Sequence, residues 1–281
     1  MGLDGSAPVG ARLEARRHKP GVYNFERSSY LATRKSSPLR RVGATPGCPS
    51  QSMITLFSYP EMFSVADNNP YGLKAFAFLK LSLLPFDHVH IFDAKSAPRA
   101  QLPYIVDGER TIGDSDAIIA HVTARYGVTM DEGLTEPQRT THLFVRRTLD
   151  DLYWVMSYSR WRDPRFWPLF RDEMLKRHPI LTESGMDAAR HYNFERYQYQ
   201  GIGRYDSEEV YARGLADLRA LADVTPGRGF LFGPEPSSID AAAYGFVANI
   251  LYYEIDTPLK RFVQSRAELV RHCDAMHARM A

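Results

Sequence analysis

Gln101-Leu102-Pro103-Tyr104-Ile105-Val106-Asp107-Gly108-Glu109-Arg110-Thr111-Ile112-Gly113-Asp114-Ser115 packs a proline, two short β-rich runs, a turn signal and a helix start into one stretch. Leu102 to Val106 reads as a strand, Asp107-Gly108 as a hairpin turn and Arg110 to Ile112 as the returning strand, because Asp-Gly tolerates the positive φ such turns need. Asp114-Ser115 then opens a helix with Ile118, Val122 and Tyr126 one turn apart, closed by Gly127. Upstream, Ile54 to Tyr59 is a β-rich run ended by Pro60. Asn69-Pro70 starts a helix, with Asn as cap and Pro where no hydrogen bond is lost. That helix runs to about Leu84, placing Leu73, Phe76, Ala77, Lys80, Leu81 and Leu84 at helical spacing. Phe86 to Phe92 is a further strand with His88 and His90 on one face. The order β-α-β then β-β-α predicts a thioredoxin-like α/β domain over residues 53–128.

The remainder, 129–281, reads as an all-α domain. Glu136 to Arg162 forms one long helix, with Tyr153, Trp154, Tyr158 and Trp161 along it, and Pro164 and Pro168 break it. Residues 163–185 read as irregular or short helices. Met186 to Gln200 is helical and ends at Gly201. Ser207 starts a helix with a capping hydroxyl that runs to about Asp223, Ser237-Ser238-Ile239-Asp240 opens an apolar helix through Tyr252, and Arg266 to Met280 supplies the last.

The chain of 281 residues is 44% hydrophobic and 24% charged, an ordinary globular composition. Its formal net charge of +2 hides an asymmetry: residues 1–52 hold nine Lys or Arg against three acids, so the rest is mildly acidic. A nucleic-acid role argued from the overall charge is therefore misplaced. The leader, with 18 Gly, Pro or Ser, reads as disordered. It is either a transit peptide or upstream sequence of no function, with Met53 as the working start. No apolar stretch approaches the roughly 18 residues needed to span a bilayer. Two cysteines, Cys48 and Cys273, exclude a disulfide scaffold and fit a reducing, cytoplasmic setting.

Three motifs carry a family resemblance over about residues 54–281. They are Gln101-Leu102-Pro103-Tyr104 before the hairpin, Asp114-Ser115 after it, and Ser237-x-x-Asp240 following Phe230-Leu231-Phe232-Gly233. In this order and spacing the chain resembles the cytosolic glutathione S-transferases. Asn-Pro-Tyr-Gly-Leu-Lys and Asp-Leu-Tyr-Trp make it most similar to the branch with the metaxin and failed-axon-connections proteins and their bacterial relatives.

The resemblance implies reduced glutathione as co-substrate, a small electrophile as its partner, and a homodimer. Gln101, Leu102 and Pro103 would hold the cysteinyl peptide along a cis-proline loop, and Asp114 and Ser115 the γ-glutamyl end, at unpaired helix N–H groups. Glutaredoxin-like relatives read Cys-Pro-Tyr-Cys where this chain has Asn69-Pro70-Tyr71-Gly72, so disulfide exchange lacks its nucleophile here. Thiolate formation is left to the helix N-terminus and a side-chain donor: Asn69, or else Tyr59 or Ser64, since other branches use Tyr or Ser. Asn69 is equally readable as a plain cap, Asp114-Ser115 as an N-cap and Pro103 as a strand-edge proline. Tyr71, Tyr153 and Trp154 are candidates for the electrophile pocket or for core. His88 and His90 have no acidic or Cys partner nearby and read as structural, so no metal is expected. The alternative function is a non-catalytic fold that binds a partner protein or a membrane-associated complex.

Overall fold

In β1 (Ile54–Ser58) the residues Ile54, Leu56 and Ser58 are buried in strict alternation. The computed structural model describes residues 53–280, so the leader and Cys48 lie outside the described residues. Strand β1 pairs in parallel with β2 (Phe86–His90) and antiparallel with β3 (Tyr104–Asp107), which pairs antiparallel with β4 (Arg110–Gly113). The sheet order is β2-β1-β3-β4. Helix α1 (Pro70–Leu81) makes the crossover that a parallel β1–β2 pair requires. It stops at Leu81, short of Leu84, because Leu83 takes a left-handed φ of 54° and is exposed. Strand β2 likewise ends at His90 rather than Phe92.

Asp107 pairs with Arg110, so the central residues of the hairpin turn are Gly108-Glu109 and not Asp107-Gly108. Gly108 has φ 62° at the first central position, where a two-residue turn of the II′ kind demands glycine. Asp107 is instead buried, accepting from Tyr126 Oη at 2.8 Å and pairing with His121 Nε2 at 2.8 Å.

Helix α2 (Ser115–Tyr126) ends at Gly127 in the left-handed region. The helical part comprises α3 (Glu136–Trp161), α4 (Trp167–Arg177), α5 (Glu183–Gln200), α6 (Ser207–Val224), α7 (Ser238–Leu251), α8 (Pro258–Gln264) and α9 (Ala267–His277). Three expectations are corrected. Pro168 starts α4 rather than breaking a helix, since the first turn has no use for its missing N–H. Asp206, not Ser207, caps α6: its Oδ1 accepts from Glu209 N at 2.9 Å while Glu209 Oε2 accepts from Asp206 N at 3.1 Å. Helix α8 was not foreseen; it follows Thr257 as cap and Pro258 at its first position, the same signal as Asn69-Pro70. Among the described residues no helix is long and apolar enough to cross a membrane.

Helix α7 is buried along nearly its whole length and packs on α1, joining the sheet-bearing part to the helical part in one hydrophobic core. Gly245 permits this contact: a Cβ there would lie 2.5 Å from the Pro70 carbonyl oxygen and 2.8 Å from Lys74 N. Both obstacles are backbone and cannot swing away. Gly245→Ala should therefore cost about 1–3 kcal/mol, the range for overpacking a tight core, read as a lower denaturant midpoint in chemical unfolding. An unchanged midpoint would show that α1 and α7 can separate freely.

Candidate active site

The sheet register determines what meets at the C-terminal end of β1. Phe57 faces Tyr104, and Tyr104 faces Gly113, so one step further Ser58, Pro103 and Asp114 come level. The Asp114 N–H donates to the Pro103 carbonyl at 3.3 Å, which confirms the continued register. Tyr59, half-buried, packs against the small cluster of Leu102, Tyr104 and Ala97. The Leu102–Pro103 bond is cis. Among the described residues the Leu102 N–H and C=O pair with no other backbone group, leaving this edge open to an extended peptide.

Asp114 holds φ 83°, a region costly for a residue with a side chain. Its Oδ1 accepts from Asp116 N at 3.0 Å and Ala117 N at 3.1 Å, so it is the N-cap of α2. Ser115 is the first helical residue and is buried. Arg99, in a 3₁₀ turn over Pro98–Ala100, donates from Nη2 to the Gly113 carbonyl at 3.1 Å and lies 3.8 Å from Asp114 Oδ2. Gln101 closes that turn and is exposed. Residues 99, 101–103, 114 and 115 thus line one end of the sheet.

Helix α1 opens beside it. Asn69 Oδ1 accepts from Tyr71 N at 3.0 Å and the Asn69 carbonyl from Leu73 N at 3.0 Å, while Pro70 has no N–H to offer. An amide oxygen committed to the cap leaves Nδ2 as the donor on the other side. Gly72 is buried under the loop: a Cβ there would sit 1.6 Å from Asp67 Oδ2. Asp67 is fully buried, accepting from Asn69 N at 2.6 Å through Oδ1, and among the described residues Oδ2 has no hydrogen-bond partner. Burial pushes this carboxyl up to about 8, against the pull of Ser58, the backbone N–H groups and Arg160. Ser58 Oγ lies 2.7 Å from His88 Nε2, and burial lowers His88 to about 4, so that ring is neutral at ordinary pH. Among the described residues no group of three or more His, Cys, Asp or Glu side chains could hold a metal ion.

Tyr71 points the other way, onto the helical part. Its hydroxyl donates to Asp150 Oδ1 at 3.1 Å, and its ring lies 5.0 Å from Tyr153 and 5.4 Å from Phe246. Tyr153 touches Trp154 at 5.6 Å between ring centres. These three aromatics form one continuous patch. Burial raises the Tyr59 phenol above its ordinary range; Tyr153, Asp67 and Tyr192 act in the same direction and Arg196 against it, which puts the end of β1 in reach of α3 and α5. Ser64 stands apart. It is exposed, with φ 62°, at the tip of the tight Met62–Val65 turn, and bonds to neither Tyr59 nor Asn69.

Asp67, Arg160, Asn249 and Arg196 carry no motif and escape a reading of the sequence alone. Arg160 is the clearest signal missed, a charge in the midst of the aromatic residues of the α3 stripe. A separate cavity of about 430 Å³, lined by Lys74, Asp116, Asp131, His142, Arg146 and Ser238, opens between α1, α2, α3 and α7. Most of its charges meet one another, with Lys74 and Arg146 on Asp116 and Ser238 bonded to Asp131, while Arg146 Nε has no hydrogen-bond partner among the described residues.

A four-stranded sheet with a cis-proline before its third strand, followed by a helical bundle, defines a thioredoxin-type fold with an all-α extension. The chain belongs to the glutathione S-transferase superfamily: residues 70–166 match the family's N-terminal domain and residues 214–276 its C-terminal domain. It is 29% identical over 231 residues to the isoprene-epoxide–glutathione S-transferase of a Rhodococcus species, covering 79% of this chain and 97% of that protein. It is 26% identical over 247 residues to Failed axon connections of Drosophila melanogaster, covering 80% of this chain and 57% of that protein. Among solved structures, a glutathione transferase family member from Pseudomonas fluorescens with two glutathione bound shares the fold at TM-score 0.53 and 13% identity, covering 83% of this chain and 94% of that one.

The raised Asp67 carboxyl sets a pH dependence. The native state keeps a proton up to about pH 8 that the unfolded chain releases near pH 4. Stability from this group is thus complete below pH 4 and falls as pH rises toward 8, by about 1 kcal/mol per unit. His88 works oppositely, but only below about pH 6.5. Between pH 6.5 and 8 the parent should lose melting temperature, and Asp67→Asn, which mimics the protonated acid, should abolish that slope. A slope that survives the substitution would mean that Asp67 is ionised in the folded protein.

Proposed function

We propose that this protein binds reduced glutathione across the open end of the sheet and conjugates it to a small electrophile. The convergence of the unpaired Leu102 backbone, the Asp114 carboxylate and the start of α1 on one sheet end carries this reading. An extended tripeptide can pair with the Leu102 N–H and C=O. Its γ-glutamyl ammonium meets Asp114 Oδ2, the oxygen that does not cap α2, and Arg99 is near enough to take a carboxylate.

The cysteinyl sulfur then falls at the start of α1, where the helix dipole favours an anion. Pro70 has no N–H and the Tyr71 N–H is spent on the cap, so Asn69 Nδ2 is the side-chain donor for the thiolate. Tyr59, whose phenol burial keeps protonated, is a second donor from the strand end. The thiol proton leaves to solvent, the sulfur attacks an electrophilic carbon, and the leaving atom departs with the bonding pair. The relative named for an isoprene epoxide supports an electrophile that carries a strained carbon–oxygen bond. Tyr71, Tyr153 and Trp154 supply the apolar side of the pocket. Buried, free Cys273 supports a reducing cytoplasmic setting. A homodimer follows from the family resemblance and is read by light scattering.

Two substitutions test the assignments. Asp114→Asn keeps the cap and tolerates the positive φ but removes the charge, and should weaken glutathione binding by about 1.5–3 kcal/mol in calorimetry. Equal affinity would remove Asp114 from the γ-glutamyl site. Asn69→Asp preserves the cap, so melting temperature should hold or rise, while conjugation below the thiol pKa should drop by about tenfold per pKa unit that the new carboxylate adds. Full conjugation by this variant would reduce Asn69 to a cap and leave Tyr59 as the donor.

A further inference from the structure

Arg196 stands among aromatic rings with no acid to meet it. Its guanidinium carbon lies 5.1 Å from the Trp154 ring centre, 5.7 Å from Tyr192 and 6.0 Å from Tyr153. It donates from Nη1 to Asn193 Oδ1 at 3.0 Å, on its own helix, and the Tyr153 hydroxyl is near enough to act on it as a hydrogen-bond partner. The other half-buried or buried arginines nearby are satisfied. Arg160 donates to the Asn68 and Asn249 carbonyls, Arg162 to the Gly203 carbonyl, and Arg190 to the Trp161 carbonyl. Among the described residues no carboxylate lies within ion-pair distance of Arg196. Aromatic faces return only part of what a guanidinium loses on leaving water.

Two facts aim this charge at the reaction. Tyr153, beside Arg196, also touches Tyr71 in the first turn of α1. Arg196 also acts on the Tyr59 phenol at the end of β1. Although burial opposes its charge, Tyr153 and Tyr192 help hold the guanidinium above its ordinary value, so it is always cationic. Through Tyr153 the cation thus stands one ring away from Tyr71, in the first turn of α1 where the glutathione reading puts the sulfur.

We propose that Arg196, with Tyr153 beside it, takes the negative charge that forms on an oxygen of the electrophile as glutathione attacks. This rests on the glutathione reading above. With a three-membered cyclic ether, the sulfur–carbon bond forms as the carbon–oxygen bond breaks, and the bonding pair stays on oxygen. Arg196 donates hydrogen bonds to that oxyanion, the Tyr153 hydroxyl gives it a proton, and Tyr153 regains one from water. The products are a thioether and an alcohol, with no other reactant. An alkyl halide needs this help far less, because halide leaves as a stable anion.

The full chain would be assayed with glutathione and either styrene oxide or 4-nitrobenzyl chloride. Arg196→Met should lower kcat on styrene oxide by about 30-fold, the size of one charge-assisted hydrogen bond, and kcat on the chloride by less than about threefold. Arg196→Lys should recover part of the loss, and glutathione affinity by calorimetry should stay within about twofold in every variant. Tyr153→Phe, which keeps the ring packing, should cost about tenfold on the epoxide alone and serves if Arg196→Met does not fold. Equal losses on both electrophiles, or a matching loss of glutathione affinity, would overturn the assignment while leaving the glutathione reading intact. A parent protein that neither binds glutathione nor conjugates either electrophile would overturn both.

Discussion

The guanidinium of Arg160 holds the site together. It leaves the last turn of α3 and reaches the Asn68 carbonyl at 2.5 Å and Oδ1 at 3.1 Å, then the Asn249 carbonyl at 3.0 Å and Oδ1 at 3.2 Å on α7. Its flat face covers the Tyr253 ring at 4.8 Å. Asn249 extends the network, donating to the Asp67 carbonyl at 3.2 Å. The loop between β1 and α1 has few hydrogen bonds of its own, so its path is dictated by a charge from the helical part. Satisfying a buried guanidinium mainly with carbonyl oxygens needs several acceptors in one plane, and that demand fixes where Asn68, and hence Asn69, can lie. The start of α1 is thereby positioned by three elements that are distant in sequence.

Around that end the folded protein favours neutral groups. Asp67 is held up, His88 is held down, and Tyr59 stays a phenol, all chiefly because water is excluded. Apart from the buried Arg160 guanidinium, the charges lie toward the rim, Asp114 and Arg99 on one side and Arg196 on the other. With few charges on the floor, the helix dipole and the proposed Asn69 donor can act on an anion there with little competition.

Much of this fold could be read from local chemistry. Alternation in Ile54–Ser58, the Asn69-Pro70 start and the Gly127 stop are signals made and answered within a few residues, and the structure returns them almost unchanged. Misreadings arose where one residue type serves two ends. Pro168 begins a helix as legitimately as it could end one, and Asp107-Gly108 looks like a turn centre although Asp107 is a buried partner of Tyr126 and His121. The Leu102–Asp114 side of the candidate site could be named because two motifs of the resemblance flank one hairpin, whose register brings them level. The Arg160, Asp67 and Arg196 side was not, because those contacts join α3, α5, α7 and the β1–α1 loop through tertiary packing, which leaves no spacing to read.

The space above Gly72 is filled in a way that decides which side chains position 72 can carry. In a Cys-Pro-Tyr-Cys turn the fourth position carries a side chain; here the Asp67 carboxyl occupies that volume, 1.6 Å from where a Cβ would be. A single mutation restoring a cysteine at 72 would collide with a buried acid, and removing Asp67 first would empty a polar site that Ser58 and Asn69 help to line. Each change is penalised without the other. A side chain at position 72 thus requires a change at Asp67 as well, whereas position 69 is half-exposed and meets no such obstacle.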